Sequence, residues 1–307
     1  MVNNDICVRV VVLNFNQPEY TIATVNALKL QTVRNLEIVV VDNNSTEKNF
    51  ARLKDALPNE ILIRSESNYG YAVGNNLGCK YNSERPIDYY FILNNDVIIE
   101  NTNLIQSLVT AINKNHSNRV VAVSPLVDTV SSELPINEQI QVRRIVTFLE
   151  QIIVNSPFMN KIFIPIYKRY IYKDKMPYLN RYTTVDTING AAFLIRGDVF
   201  RENNFFDNGT FLFHEELILG KQLKNSGYNC VLDGFSSLKH LQGVSTNSQK
   251  RKFNLKMEKE KVRSEMYYFK KYFNISDVVL AFIKLMRYTE IYLLFSYRNI
   301  QVRISNR

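Results

Sequence analysis

Short apolar runs recur along the first part of the chain, and polar residues follow each one. The runs are "ICVRVVVLNFN", "LEIVVVDNNS", "EILIRS" and "DYYFILNND". Runs of this kind, rich in β-branched residues, are typical of parallel strands that helices cover on both faces. Segments with helical periodicity separate them, so strand and helix alternate from residue 6 to about 116. This alternation predicts a doubly wound α/β sheet.

Four segments between and after these runs have the spacing or the end signals of helices. In "PEYTIATVNALKLQ", Ile22, Val25 and Leu28 fall on one helical face, and Pro18 suits a first turn. "EKNFARLKDAL" predicts a second helix, and "YGYAVGNNLGCKYN" predicts a helix opened by glycine. "TNLIQSLVTAINKN" predicts a fourth helix, with Thr102 as its N-cap.

The alternation stops near residue 130. The segment 130–182 is rich in Tyr, Ile and basic residues without a clean period, and we interpret it as an insertion or flap. "TVDTINGAAFLIRGDVF" then returns to the core, and a helix is predicted from near Glu215 to Gly227, its C′ residue. "YNCVLDG" predicts one more strand, "SSLKHLQGVST" a loop, and the text beyond residue 251 is helical.

Composition narrows the class of protein. A chain of 307 residues that is 46% hydrophobic can form one large domain with appendages. Three cysteines without a CxxC pair indicate neither a disulfide framework nor a zinc site. The start lacks the features of a signal peptide, and no run reaches the roughly 18 uncharged apolar residues of a membrane span. We expect a cytoplasmic protein, either free or peripheral on the cytoplasmic face of the inner membrane.

The net charge of +9 is distributed unevenly. Residues 251–307 hold 13 Lys and Arg against 5 Asp and Glu, and residues 140–182 hold 8 against 2. These segments carry +8 and +6, which leaves −5 for the remainder. We therefore expect an anionic surface partner at the two basic segments. "KRYIYKDK" interleaves aromatic and basic residues as nucleic-acid binders do, but no RNA-binding motif accompanies it, so no nucleic-acid partner is predicted.

The last helical segment, "DVVLAFIKLMRYTEIYLLFSYRN", is amphipathic. Asp277, Lys284, Arg287 and Arg298 fall close to one helical stripe, with aliphatic and aromatic residues around the rest. Such a helix packs on its own core, pairs with a second subunit to form a homodimer, or lies in a membrane interface. Packing on the core is the default, and the basic excess favours an anionic membrane among the other two.

Four polar clusters follow the predicted strands: Asn14-Phe15-Asn16, Asp42-Asn43-Asn44-Ser45, Asn68-Tyr69-Gly70 and Asn94-Asn95-Asp96. Each alone suits a turn. Together they would share the edge of a parallel sheet where ligands bind. The sequence lacks GxGxxG after the first strand and lacks a phosphate loop, and "HEELI" has Ile218 where a zinc-protease motif needs histidine. A carboxylate flanked by amides suits Mg²⁺ bound to diphosphate, which points to a nucleoside diphosphate.

Several ordered motifs resemble the family 2 glycosyltransferases of the GT-A fold, in particular the rhamnosyltransferase-like branch. They run from residue 8 to about 247: "VVVLNFNQPEYT", "LEIVVVDNNSTE", "NYGYAVGNNLG", "FILNNDVII", "NGAAFLIRGDVF", "FLFHEELILGKQLKNSGY" and "KHLQGVST". The resemblance implies a Rossmann-like, open, mostly parallel sheet with a helical C-terminal appendage. It divides the chain into a GT-A domain (1–250) and a basic helical region (251–307). Within the domain, 1–125 would bind nucleotide, 130–182 would be the flap, and 183–250 would face the acceptor.

The resemblance also implies a donor site. Asp42 would accept a hydrogen bond from the pyrimidine ring of the donor, with Asn14 and Asn16 in the same pocket. The remaining residues that would approach the nucleotide sugar are Asn68, Gly70, Gly74, Asn75, Asn94 and Asn95. Asp96 would be the metal-binding carboxylate of a DxD-like motif whose first position is Asn94 here, and His240 would approach the Mg²⁺ or Mn²⁺ ion or the diphosphate.

Glu215 and Glu216 stand where the family carries an ED pair whose second acid is the general base, a role that would fall to Glu216. Two acids in a first helical turn also suit the helix dipole alone. The implied reaction moves a sugar from a dTDP- or UDP-sugar to a hydroxyl of a saccharide or lipid-linked acceptor, with inversion, in the synthesis of a cell-surface polysaccharide such as capsule or O-antigen.

Other functions stay open. Asn94 and Ile218, which depart from the family pattern, motivate a degenerate member that binds a nucleotide sugar or a partner glycosyltransferase without turnover. A nucleotidyltransferase would need a glycine-rich basic loop after the first strand, and "NFNQPEY" has none.

Overall fold

The structure is a computed structural model that describes residues 6–82, 85–241 and 254–305. Within these ranges the chain forms one nine-stranded sheet with helices on both faces. The strands are β1 (Cys7–Asn14), β2 (Asn35–Asp42), β3 (Ile61–Arg64), β4 (Tyr89–Asn94), β5 (Val97–Ile98), β6 (Val120–Thr129), β7 (Tyr182–Val185), β8 (Ala192–Arg196) and β9 (Asn229–His240).

The helices fall between the strands and at the end of the chain. They are α1 (Pro18–Leu28), α2 (Glu47–Ala56), α3 (Gly70–Cys79), α4 (Leu104–Lys114), α5 (Phe148–Asn155), α6 (Met159–Ile162), α7 (Ile164–Tyr170), α8 (Gly197–Glu202), α9 (Glu215–Asn225), α10 (Leu255–Phe273) and α11 (Asp277–Ser305). No helix in the described part of the chain is both long and apolar enough to cross a membrane.

The sheet is parallel on one side and mixed on the other. Its strand order is β3-β2-β1-β4-β8-β6-β9-β5, and β7 pairs with β9. The first four strands are parallel, β8 runs antiparallel to β4 and β6, and β9 runs parallel to β6. The predicted α/β class and the alternation up to residue 116 are therefore confirmed.

Two hydrophobic clusters cover the two faces of the sheet. Val8, Val10 and Val12 of β1 pack with residues of α1, α2 and α4 on one face. Val11 packs with residues of α3, α8 and α9 on the other. Because successive strand residues point to opposite faces, a strand buried on both sides is apolar at nearly every position, which explains the apolar runs in the sequence. The exception in β1 is Arg9, which is buried and paired with Glu37.

One strand was missed, and two local predictions are wrong. The strand β6 was not predicted, and β9 continues through 236–240, where a loop was predicted. The rest of that loop, 242–246, lies outside the described residues. Thr102 does not cap α4, which begins at Leu104; the side chain of Gln31 accepts the hydrogen bond from the Ile105 N–H instead. The end of α9 is as predicted, since Gly227 follows its C-cap with φ +74°.

The segment 130–182 and the C-terminal helices share a third hydrophobic cluster. Its buried members come from both segments and from α9, and include Val154, Tyr170, Tyr268, Phe269 and Ile283. Arg287 of α11 lies inside this contact and bonds Glu265 of α10 at 2.9 Å and Glu290 at 2.9 Å. The side chain of Arg287 is buried, whereas that of Lys284, on the same predicted stripe, is exposed. The side chain of Arg298 lies outside the described part of the chain.

Candidate active site

A cavity of about 1420 Å³ opens at the carboxyl ends of β1 and β4. These neighbouring strands mark the point where the chain order in the sheet reverses, and open α/β sheets bind their ligands at such points. Its lining includes Leu13, Phe15, Asn43, Asn68, Gly70, Tyr71, Asn94, Asn95, Asp96, Phe211, Phe213, His240, Lys256, Met257 and Glu260. The segment 129–140 supplies the wall on another side.

Asp96 and His240 meet at the floor of this cavity. His240 Nε2 lies 3.0 Å from Asp96 Oδ1, although the two residues are 144 positions apart in the chain. The pairing of β5 with β9 brings them together, since Val97 lies opposite His240 and the Leu241 N–H donates to the Asp96 carbonyl. The Asn94 side-chain nitrogen lies 3.4 Å from the same imidazole nitrogen. A carboxylate, an imidazole and an amide thus converge.

Asn95 connects this floor to α1. Its Nδ2 donates to Thr21 Oγ1 at 3.0 Å, and its backbone carbonyl accepts from Thr24 Oγ1 at 2.9 Å. Asn95 is 3% exposed. Its side chain therefore fixes the turn after β4 against α1 and so orients the adjacent carboxylate.

Asn14 and Asp42, at the ends of β1 and β2, form a buried polar network and do not line the cavity. Both are fully buried, and Asn14 Nδ2 donates to Asp42 Oδ1 at 2.7 Å. Ser45 donates to the same carboxylate through its hydroxyl at 2.5 Å and its backbone N–H at 3.1 Å. Asn16 accepts from the backbone of Thr46 and also stays out of the lining. The structure therefore places this trio outside the cavity lining.

Asn68 and Gly70 shape the wall at the start of α3. The Asn43 side chain donates to Asn68 Oδ1 at 2.9 Å and to the Gly70 carbonyl at 3.0 Å, which ties the ends of β2 and β3 together. Gly70 has φ +80°, and a Cβ there would collide with the backbone of Phe211. Only glycine permits this approach, which brings Phe211 into the lining.

Gly74 and Asn75 do not line the cavity. A Cβ at Gly74 would meet Leu13 Cδ1 at 2.6 Å, so this glycine permits close packing of α3 on β1. Asn75 is fully buried and donates to the Tyr71 carbonyl at 2.9 Å within α3. The geometry gives both residues a packing role and no contact with the cavity.

Glu215 and Glu216 begin α9 after two residues, Phe213 and His214, with positive φ. Glu215 is buried, accepts a hydrogen bond from Thr210 at 3.2 Å, and is therefore poorly solvated. Burial and the charge of Glu216 raise the pKa of Glu215 to about 8, so it carries a proton at pH 7.

Glu216 lies behind the cavity wall and not in the lining itself. Its carboxylate packs against Gly190, where a Cβ would collide with it. The Gly190 carbonyl accepts a hydrogen bond from the hydroxyl of Tyr71 at 2.7 Å, and Tyr71 does line the cavity. The next residue, Ala191, accepts from the Asn94 N–H. One layer of backbone and one tyrosine thus separate Glu216 from the end of β4.

Comparison with known proteins fits this geometry. The profile of Glycosyl transferase family 2 matches residues 9–202, more than half of the chain. The chain belongs to glycosyl transferase family 2. No curated protein sequence matches it.

Two solved structures resemble this glycosyltransferase. One is a mannosyltransferase from Pyrobaculum calidifontis in complex with GDP-Man and Mn²⁺, at 12% identity and a TM-score of 0.56, with 90% of this chain and 67% of that chain covered. The other is GalNAc-T7 with UDP, GalNAc and Mn²⁺, at 16% identity and a TM-score of 0.55, with 87% of this chain covered but only 50% of that chain. These likenesses establish the GT-A fold, as the motifs predict.

The glycosyltransferase brings six of the thirteen predicted site residues to the cavity lining: Asn68, Gly70, Asn94, Asn95, Asp96 and His240. The aromatic residues of the lining were not predicted, nor were Lys256, Met257 and Glu260 of α10. Phe211 and Phe213 belong to the "FLFHEE" motif, which gave a signal for them. The contribution of α10 has no local signal, because it depends on how a distant helix packs.

The oxygen and nitrogen atoms at the cavity floor fit a divalent cation that takes few ligands from the protein. Among the described residues, no group of three His, Cys, Asp or Glu side chains could hold a metal ion by itself. Asp96 and His240 nevertheless place a carboxylate oxygen and an imidazole nitrogen 3.0 Å apart, both beside Asn94. Mg²⁺ and Mn²⁺ sites of this kind take their other ligands from water and substrate phosphates. The residues therefore fit a cation that binds together with a diphosphate.

Proposed function

We propose that this family 2 glycosyltransferase moves a sugar from a nucleoside-diphosphate donor, dTDP- or UDP-linked, to an acceptor hydroxyl with inversion. The observation that carries the proposal is the convergence of Asp96 and His240 on the floor of a cavity at the carboxyl ends of β1 and β4. The two similar structures hold GDP-Man or UDP together with Mn²⁺, which supports a donor of this class.

The cavity floor would receive the donor diphosphate. Asp96 and His240 would hold Mg²⁺ or Mn²⁺, which neutralises the charge that grows on the leaving diphosphate. Lys256 lines the same cavity and adds a cationic side chain. Phe15, Tyr71 and Phe211 supply aromatic surface for the nucleoside and the sugar ring.

Glu216 would take the proton of the acceptor hydroxyl as that oxygen attacks the anomeric carbon. Because Glu216 lies behind Gly190 and Tyr71, the acceptor hydroxyl would have to reach it past that wall. Inversion follows, because one displacement with one base requires no covalent sugar intermediate. Burial and the charge of Glu216 raise the pKa of Glu215, which would favour Glu216 over Glu215 for this role. The hydroxyl of Tyr71, bonded to the Gly190 carbonyl, would orient the wall between the base and the donor.

The finer assignments are also proposals. The motifs support the rhamnosyltransferase-like branch and a saccharide or lipid-linked acceptor in the synthesis of a cell-surface polysaccharide. We also propose a GT-A domain of residues 1–250 with a flap at 130–182, and a basic helical region 251–307 that packs on the flap and on α9 through the third hydrophobic cluster. The cysteines Cys7, Cys79 and Cys230 are buried and unpaired, which supports the cytoplasm as the place of action.

A specific observation favours a second candidate. The first position of the DxD-like motif is Asn94, and the described residues hold no three-member metal cluster. A binding protein that retains the donor without turnover would show the same features. Turnover decides between the two candidates.

The test combines binding with turnover. The thermal stability of the parent, of Asp96→Ala and of Glu100→Ala would be measured with UDP, dTDP and GDP, with and without Mn²⁺. Glu100 is the matched control, an exposed acid four positions away that pairs with Lys239. A ligand at 100 times its dissociation constant stabilises by about 2.7 kcal/mol. We expect this metal-dependent gain in the parent and Glu100→Ala, and its loss in Asp96→Ala.

Nucleoside diphosphate release from a panel of donors and acceptors then reports turnover. Release by the parent and by Glu100→Ala, together with its loss in Asp96→Ala, would support the transferase. Nucleotide binding without release under every acceptor would favour the binding protein. No stabilisation by any nucleotide would contradict both.

A further inference from the structure

The outward face of α11 is an exposed apolar surface. We call it the outer stripe and define it by residues that share an arc of about 120° at 100° per residue: Val278, Ala281, Phe282, Leu285, Thr289, Tyr292, Leu293 and Ser296. All eight are exposed and none carries a charge. Phe282 is 70% and Leu285 66% exposed. The outer stripe runs for about 27 Å at 1.5 Å per residue, which is long for an unpartnered apolar face.

The opposite face of α11 holds the outer stripe in this orientation. Leu280, Ile283 and Ile291 are buried against the third hydrophobic cluster and its surroundings. Arg287 is 3% exposed, and its guanidinium bonds Glu265 and the Ile152 carbonyl. Turning the helix to bury the outer stripe would expose this face and break a buried ion pair. These buried contacts therefore keep the outer stripe facing away from the core.

The helix belongs to the basic part of the molecule. The segments 140–182 and 251–307 carry +6 and +8, and the remainder carries −5. The third hydrophobic cluster joins these two segments. Among the described side chains, residues 140–182 and 254–297 carry +6 and +3, and this positive charge is gathered in one lobe. Two lysines border the outer stripe. Lys259 Nζ lies 5.8 Å from the Tyr292 ring, and exposed Lys284 lies 5.9 Å from the Tyr288 ring.

Charge decides which occupant this surface fits. A second copy paired through the outer stripe would bring two positive lobes together, and like charges across an interface disfavour the contact. An anionic lipid surface complements the lobe and takes up the apolar side chains at the same time. Helices with an apolar face, bordering lysines and exposed Phe, Leu and Tyr lie in the plane of such surfaces.

We propose that the outer stripe of α11 inserts into the interface of a membrane that contains anionic lipid, with the basic lobe against the headgroups. This inference stands on the geometry and charge of the lobe and holds whether or not the cavity transfers a sugar. Lys259 and Lys284 would then lie at headgroup depth, and Phe282, Leu285 and Leu293 at the boundary with the acyl chains.

Vesicle flotation tests the proposal on the full chain. We expect the parent to float with vesicles of phosphatidylglycerol and phosphatidylcholine, and much less with phosphatidylcholine alone or at high salt. The triple variant Phe282→Ser, Leu285→Ser, Leu293→Ser should lower the partition coefficient by about tenfold or more, from the apolar area that three such side chains bury. Because these side chains are exposed, its thermal unfolding should match that of the parent.

Two further variants complete the design. Leu30→Ser removes an apolar side chain that is 68% exposed outside the lobe, and it should bind vesicles as the parent does. Lys259→Gln with Lys284→Gln should lower binding to anionic vesicles at low salt and remove much of its salt dependence. Failure of the parent to bind anionic vesicles would overturn the proposal. So would a triple variant that binds unchanged, or a parent dimer that the triple substitution dissolves while vesicle binding is absent.

Discussion

Gly190→Ala gives the sharpest test of the assignment of Glu216 as base. Gly190 lies between Tyr71 and Glu216, and an added Cβ would overlap the Glu216 carboxylate and come within 2.9 Å of its Cδ and 3.0 Å of its Cγ. The obstructing atoms belong to a long side chain and not to backbone. We therefore expect the variant to fold, with Glu216 pushed from its place.

The size of the effect follows from the role of a base. General-base catalysis contributes about 10²–10⁴-fold, or about 3–5 kcal/mol of barrier. A shift of about 1 Å in a catalytic group can cost about 10²-fold. We expect kcat for Gly190→Ala to fall by about 10²-fold or more, while overpacking lowers the free energy of unfolding by about 1–3 kcal/mol.

A double-mutant cycle with Glu216→Gln separates displacement of the base from general damage. Both substitutions remove the same contribution, so the kcat of the double variant should match that of Glu216→Gln within about threefold. Gly78→Ala is the matched control, because its Cβ would meet Val11 Cγ1 at 2.6 Å in the last turn of α3, where α3 packs on β1. It should destabilise without coupling to Glu216→Gln.

Nucleoside diphosphate release under saturating donor and acceptor measures all four variants. Near-full turnover by Glu216→Gln would refute the base assignment. Near-full turnover by Gly190→Ala, or effects of Gly190→Ala and Glu216→Gln that multiply, would refute the packing argument.

Three more predictions concern stability. Burial and the charge of Glu216 raise the pKa of Glu215 from 4.5 to about 8, so its contribution to the free energy of unfolding falls as pH rises between those values. Urea unfolding of Glu215→Gln should show a weaker fall in stability over that pH range. A pH dependence equal to that of the parent would contradict this prediction. Arg287→Leu leaves two carboxylates buried without their cation and should cost about 3–5 kcal/mol by urea unfolding; a cost below about 1 kcal/mol would show that water reaches them. Asp42→Ala removes the acceptor of three hydrogen bonds and should lower stability by several kcal/mol, at about 1–3 kcal/mol per unsatisfied buried group; unchanged thermal unfolding with weaker nucleotide binding would instead make it a donor ligand.

The parallel half of the fold could be predicted because each strand is buried on both faces. The apolar run of β4, and that of β1 with Arg9 as its one charged residue, report this burial directly. The mixed half gave weaker signals. Pro125 interrupts β6, and β9 shifts its register against β6 near Asp233 before an alternating, half-exposed end in which Ser236 and Leu238 are buried. A sequence in which buried and exposed positions alternate over so few residues is hard to distinguish from a loop.

The candidate site divides in the same way. Asp96 follows a recognisable strand, so sequence could place it at the edge of the sheet. Asp42 follows an equally recognisable strand, yet its carboxylate accepts hydrogen bonds from the side chains of Asn14 and Ser45. A strand-end carboxylate looks the same in sequence whether it faces a cavity or its own turn. The contact between Asp96 and His240 depends on long-range pairing, which the local sequence does not encode.

The helix α10 contributes residues to two separate regions of the molecule. Its first turn supplies Lys256 and Met257 to the cavity wall, and farther along Glu265 anchors α11 through Arg287. A molecule that restrains the first turn would also restrain the anchor. Thermodynamic linkage between two binding sites is reciprocal. If ligand binding in the cavity strengthens a contact made through α11 by some factor, that contact strengthens ligand binding in the cavity by the same factor.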